Sequence, residues 1–211
     1  PEIDQTMCEF ICATDLKSFA ISETQKFGHV TFFWNGNRSG YLDAALETYI
    51  EIPSDNIEFD QAPAMKAREI TDETIALIET GEYAFGRINL ANGDMVGHTG
   101  NLEAAIVAVE VVDECVGRLI ESINKHNGIL IFTADHGNAD VMFTEKNGVR
   151  TPKTSHTLNP VPFAIVDSQA HGEYQMQAPA GAGLSNIAAT TFNLMGYEAP
   201  ALYEPSLISF T

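Results

Sequence analysis

Residues 85–134, FGRINLANGDMVGHTGNLEAAIVAVEVVDECVGRLIESINKHNGILIFTA, decide the fold class of this chain. Gly86 to Leu90 predicts a short strand, and the glycine-rich run Asn92 to Gly100 that follows is expected to leave the ladder as a loop. A long helix then starts at a cap supplied by Thr99 or Asn101 and ends at Lys125, His126 and Gly128. Its expected apolar stripe is Ile106, Val109, Val112, Val116, Leu119 and Ile123. Ile129 to Thr133 (ILIFT) reads as a fully apolar strand. Strand, helix and strand of these lengths predict a right-handed βαβ crossover in a parallel sheet, with function gathered at the carboxyl ends of the strands.

Working outward, Thr6 to Leu16 reads as helix and Ser18 to Ser22 as a strand. His29 to Trp34 (HVTFFW) carries the aromatic and β-branched residues that favour strands, with Phe32, Phe33 and Trp34 assigned to the core. Asn35-Gly36-Asn37 forces a turn. Thr48 to Ile52 is a strand stopped by Pro53. Thr71 to Thr80 is a helix with Ile75, Leu77 and Ile78 toward the core, ended by Gly81. Val161 to Val166 is a further strand, Asn186 to Thr190 a packing helix, and Cys115 a small buried hydrophobe. No repeat or linker divides the chain, so one α/β domain is expected.

The 211 residues are 45% hydrophobic, enough for a core, and acidic side chains outnumber basic ones 29 to 11. The formal charge of −18 argues against nucleic acid as a partner. No apolar run approaches the ~20 residues of a membrane span, and no secretory leader is visible at Pro1. Three cysteines without C-x-x-C spacing imply neither a disulfide framework nor a zinc knuckle, which makes a reducing cytoplasm the expected location. An acidic protein handling an anionic substrate needs local positive charge, and divalent metals supply it.

The candidate ligands stand at the expected strand ends. Asp94 and His98 follow the first strand, Asp135 and His136 the second, and Thr154-Ser155-His156-Thr157 adds a third histidine. Mixed carboxylate and imidazole donors suit Mn²⁺, Zn²⁺ or Fe²⁺ better than Ca²⁺ or Mg²⁺.

Four runs carry a family resemblance: Glu23 to Phe33 (ETQKFGHVTFF), Asn92 to Ala105 (NGDMVGHTGNLEAA), Thr133 to Asp140 (TADHGNAD) and Ser155 to Phe163 (SHTLNPVPF). Together they resemble the cofactor-independent phosphoglycerate mutases of the alkaline phosphatase superfamily. The resemblance implies a three-layer α/β/α fold with a largely parallel central sheet. It also implies two Mn²⁺ per complete enzyme, other divalent metals being possible. Asp94, His98 and His156 would hold one ion and Asp135 and His136 the other, with Lys26 contacting the phosphoryl group. The implied reaction interconverts 3- and 2-phosphoglycerate through a phosphoserine, in a monomeric cytoplasmic enzyme that engages a small phosphoglycerate substrate and neither nucleic acid nor membrane.

In the family, the nucleophilic serine and an arginine-rich substrate domain precede the segment that this chain resembles. Ser39 and Ser155 sit outside the serine motif. Residues 1–211 are therefore expected to be the carboxyl-terminal portion of the phosphatase-like domain, inactive in isolation. A related metal-dependent phosphatase or phosphopentomutase, and a non-catalytic metal-binding module, are the competing readings.

Overall fold

A computed structural model describes all 211 residues, which fall into two compact units. The first comprises Pro1–Ser122 and His136–Pro160, the second Ile123–Asp135 and Val161–Thr211.

In the first unit, helix α1 (Met7–Cys12) precedes strand β1 (Ser18–Glu23), the short helix α2 (Phe27–Val30) and strand β2 (Glu47–Ile52). Helix α3 (Ala67–Thr80), strand β3 (Phe85–Asn89), helix α4 (Asn92–Gly97) and helix α5 (Leu102–Lys125, its residues from Ile123 on counted in the second unit) follow. β1 is the middle of a three-stranded parallel sheet, in register Ser18↔Glu47 with β2 and Ser18↔Phe85 with β3. All six β1 residues are buried, as a central strand in a parallel sheet requires. Phe19, Ile21 and Ile70 form a core cluster with Ile50, Leu77, Tyr83 and Ile88 around it. α3 ends where Gly81 takes φ +67, a left-handed conformation that costs glycine little. A hairpin of β5 (Phe143–Lys146) and β6 (Val149–Pro152) completes this unit.

In the second unit, β4 (Ile129–Thr133) pairs antiparallel with β7 (Phe163–Asp167), and β8 (Tyr174–Met176) pairs antiparallel with β9 (Ile208–Phe210). Helix α6 (Ile187–Leu194) ties into this unit through Thr190, whose hydroxyl accepts from the Leu207 amide at 2.8 Å. No helix of the chain is long and apolar enough to cross a membrane.

The α/β class and the parallel sheet are as expected, and β1, β2, β3, β4, α3 and α5 lie close to their expected bounds. Four local expectations are corrected. His29 to Trp34 is not a strand: α2 ends at Val30 and the chain turns, with Phe33 N–H donating to Gly28 O and Asn35 N–H to Thr31 O, both at 2.9 Å. Phe33 and Trp34 are exposed by 57% and 38%, so neither is core; Trp34 instead stacks on Phe85 and lies against the Arg87 guanidinium. Strand propensity yields here because β-preference is mostly a preference for half-buried pleated surroundings, which this turn lacks.

Residues 92–97 are helix, not loop. α5 buries Ala104, Ala105, Ala108, Val111, Cys115, Leu119 and Ser122, while Ile106 and Val109 are half exposed. The helix is apolar on two faces, and the small side chains win because they allow close approach to Val96, Met142 and Ala67. Finally, the expected βαβ pairing is replaced: β3 takes β1 as its ladder partner and β4 takes the antiparallel β7.

Candidate metal centre

The helical conformation of 92–97 is what makes Asp94 and His98 converge, because residues four apart lie on one helix face. α4 is anchored from both sides. The buried Asn92 amide donates to the carbonyls of Pro63 at 2.9 Å and Ala64 at 2.8 Å, and Val96 is sealed in a cluster with Ala104, Ala105, Ala108 and Met142. With its apolar side held, α4 leaves Asp94 and His98 facing the loop that carries His156.

Three donor atoms then form a near-equilateral triangle. His98 Nε2 lies 3.1 Å from Asp94 Oδ1, His156 Nε2 lies 3.1 Å from the same oxygen, and the two nitrogens are 3.1 Å apart. His98 Nδ1–H donates to the Thr154 carbonyl at 2.6 Å, which leaves Nε2 as the nitrogen with a free lone pair. The His98 Nε2 lone pair and the Asp94 carboxylate oxygen thus face the same point as His156 Nε2. Donors ~2.0–2.2 Å from a common ion take up such separations, so the set fits a divalent metal. His136 stands beside the triangle: its ring stacks on His156 with centroids 3.6 Å apart, and its Nε2 is 3.9 Å from Asp94 Oδ1. One donor atom each from Asp94, His136 and His156 lies within 4.8 Å of the others.

Lys26 reaches the same carboxylate from the other side. It ends a one-turn 3-10 segment, Thr24–Lys26, directly after β1, and its Nζ is 2.5 Å from Asp94 Oδ2. Burial alone would raise the Asp94 pKa. Hydrogen bonds from Lys26 and Asn138 and the charges of Lys26 and His98 outweigh burial and hold it at about 2. Asp94 is therefore ionised and fit to ligate at any neutral pH.

The structure thus gathers Lys26, Asp94, His98, His136 and His156 in the first unit. Asp135 follows β4 and closes the first segment of the second unit. Asn138 carries a role that motif spacing did not disclose. Only 4% exposed, its amide donates to Asp94 Oδ1 at 3.0 Å and to the Asp94 carbonyl at 3.3 Å. Gly97 makes room for it, since a Cβ there would stand 2.5 Å from Asn138 Oδ1. The signal in sequence was Asn138's place directly after Asp-His-Gly, together with a glycine in the facing helix.

Comparison with known proteins agrees with this chemistry. The model of the metalloenzyme superfamily matches residues 1–199. A 2,3-bisphosphoglycerate-independent phosphoglycerate mutase of Trypanosoma brucei brucei is 49% identical over 218 residues, covering 99% of this chain and 40% of that protein. The enzyme of the same name from Zea mays is 48% identical over 222 residues, covering 99% and 39%. A crystal structure of Leishmania mexicana phosphoglycerate mutase at low cobalt concentration superposes with a TM-score of 0.96 at 46% identity, over 100% of this chain and 40% of that one. The chain spans about 40% of the length of the relatives that it matches. With three donors converging on one point and a family model that covers nearly its whole length, the chain belongs to the metalloenzyme superfamily.

Proposed function

We propose that this chain is the metal-binding, carboxyl-terminal portion of the phosphatase-like domain of a phosphoglycerate mutase that interconverts 3- and 2-phosphoglycerate. The observation that carries the proposal is the triangle of Asp94, His98 and His156 donors at 3.1 Å, with Lys26 on the free oxygen of Asp94. Asp94, His98 and His156 would hold one Mn²⁺, and His136 with Asp135 a second. When bound, such ions acidify a hydroxyl nucleophile and offset phosphoryl charge. The protein's own residues do the rest. Lys26 holds the Asp94 carboxylate and presents an ammonium where a phosphoryl oxygen would arrive, supplying charge that a chain of −18 otherwise lacks. Thr154 fixes the His98 ring so that the same nitrogen always faces the site.

In this reading the phosphate passes through a phosphoserine whose serine lies outside residues 1–211, and the enzyme is a cytoplasmic monomer. The test is His98→Ala in the intact protein at saturating Mn²⁺, assayed for 2-phosphoglycerate formed from 3-phosphoglycerate. Activity should fall by at least about 100-fold, because ligands of one site act as a unit. Activity equal to the unaltered protein would make His98 a structural histidine and overturn the proposal. Release of inorganic phosphate in place of 2-phosphoglycerate would point to a phosphatase.

A further inference from the structure

His156 is the one member of the donor triangle that neither α4 nor its C-cap supplies. It sits between Lys153 and Pro160, a stretch whose pairing is a single bridge, Gly137↔Thr157. Apolar packing does not hold this stretch, for Leu158 is fully exposed and Asn159 is exposed. An exposed loop keeps a ligand in place only if specific polar contacts offset the conformational entropy of ordering it.

After His156, the side-chain contacts converge on one carboxylate. The Thr157 hydroxyl donates to Asp140, 2.9 Å from Oδ2 and 3.2 Å from Oδ1, and the Asn159 amide donates to Oδ2 at 2.6 Å. Thr157 N–H adds a bond to the Gly137 carbonyl at 2.8 Å. Before His156, Lys153 donates through its ammonium to the carbonyls of Ser155 and His156 and through its N–H to the Met142 carbonyl at 2.9 Å, and the Thr154 carbonyl accepts from His98 at 2.6 Å. Asp140 is thus the side chain that fastens the residues just after His156 to the segment bearing His136. Gly137 leaves the space: a Cβ there would lie 2.1 Å from Thr157 Oγ1 and 2.6 Å from Asp140 Oδ1.

We propose that Asp140 is a positioning residue for the metal centre, clasping Thr157 and Asn159 so that His156 Nε2 is held at ligating distance from Asp94 and His98. This rests on the metal-centre reading above. Outer partners of metal ligands typically contribute 10–100-fold in affinity.

The experiment is a Mn²⁺ titration, followed by the resonance of the free ion, on the intact protein, Asp140→Ala, His156→Ala and the double variant. Asp140→Ala should weaken Mn²⁺ binding by about 10–100-fold in the otherwise unaltered protein and have no further effect once His156 is alanine. An equal loss in both backgrounds would show a general structural role, and an unchanged affinity no role; either overturns the proposal. If Asp140→Ala fails to fold by circular dichroism, Thr157→Val and Asn159→Ala test the same clasp: each should give a smaller loss that also vanishes without His156, and a loss that persists refutes it. Should His156→Ala itself leave Mn²⁺ affinity unchanged, the metal-centre reading fails, a result distinct from failure of the clasp alone.

Discussion

Replacing Lys26 by methionine removes a charge while keeping an unbranched side chain of similar reach at a position only 9% exposed. Its ammonium is 2.5 Å from Asp94, whose pKa lies at about 2 against an ordinary 3.8. That difference corresponds to roughly 2 kcal/mol of preference for the ionised carboxyl. Asp94 is part-solvated and Asn138 and His98 share the effect, so the share of Lys26 in folding stability is about 1 kcal/mol. A carboxyl with a lowered native pKa contributes stability that is complete above its unfolded value and is lost as the pH falls through its folded value. In metal-free protein, Lys26→Met should therefore be less stable by about 1 kcal/mol at pH 7. The gap should narrow between about pH 4 and about pH 2, where Asp94 becomes protonated in both proteins. Denaturant unfolding of both proteins at pH 7, 5, 4 and 3 measures this. A gap independent of pH, or none at pH 7, would refute the assignment of the Asp94 shift to Lys26.

Three further outcomes follow from the same geometry. Removing divalent metal with a chelator should lower the thermal midpoint, because an ion bound at 100 times its Kd contributes about 2.7 kcal/mol to the folded state; calorimetric scans with and without Mn²⁺ read this directly. Gly86→Ala should destabilise by about 1–3 kcal/mol, since the new Cβ would meet the buried Phe19 ring, 2.1 Å away on the paired residue of β1; an unaltered unfolding midpoint would mean that the sheet yields there more easily than its packing implies. The isolated 211-residue chain should show no mutase activity, the nucleophilic serine being assigned to sequence beyond it, and any turnover of 3-phosphoglycerate by the purified chain would contradict that assignment.

Periodicity and punctuation were enough to place the strands β1, β2, β3 and β4 and the helices α3 and α5, because apolar runs, caps and a left-handed glycine act within a few residues of one another. The candidate donors were also legible as residue types in three motifs, and Asp94 and His98 already stood four apart. What the sequence by itself could not determine was which of several locally acceptable arrangements the surroundings select. α5 carries two apolar faces, and only its contacts with Val96, Met142 and Ala67 decide that the alanine-rich face is buried. HVTFFW has strand composition, yet the chain turns directly after α2, and the i+4 and i+5 hydrogen bonds of that turn override a weak intrinsic preference. The partners of β3 and β4 depended on long-range ladders that no local window contains. The same holds at the site: the closing of the 3.1 Å triangle by His156, the hold of Lys26 on Asp94 and the clasp of Asp140 on Thr157 join residues 17 to 68 positions apart, and only tertiary packing brings such groups into contact.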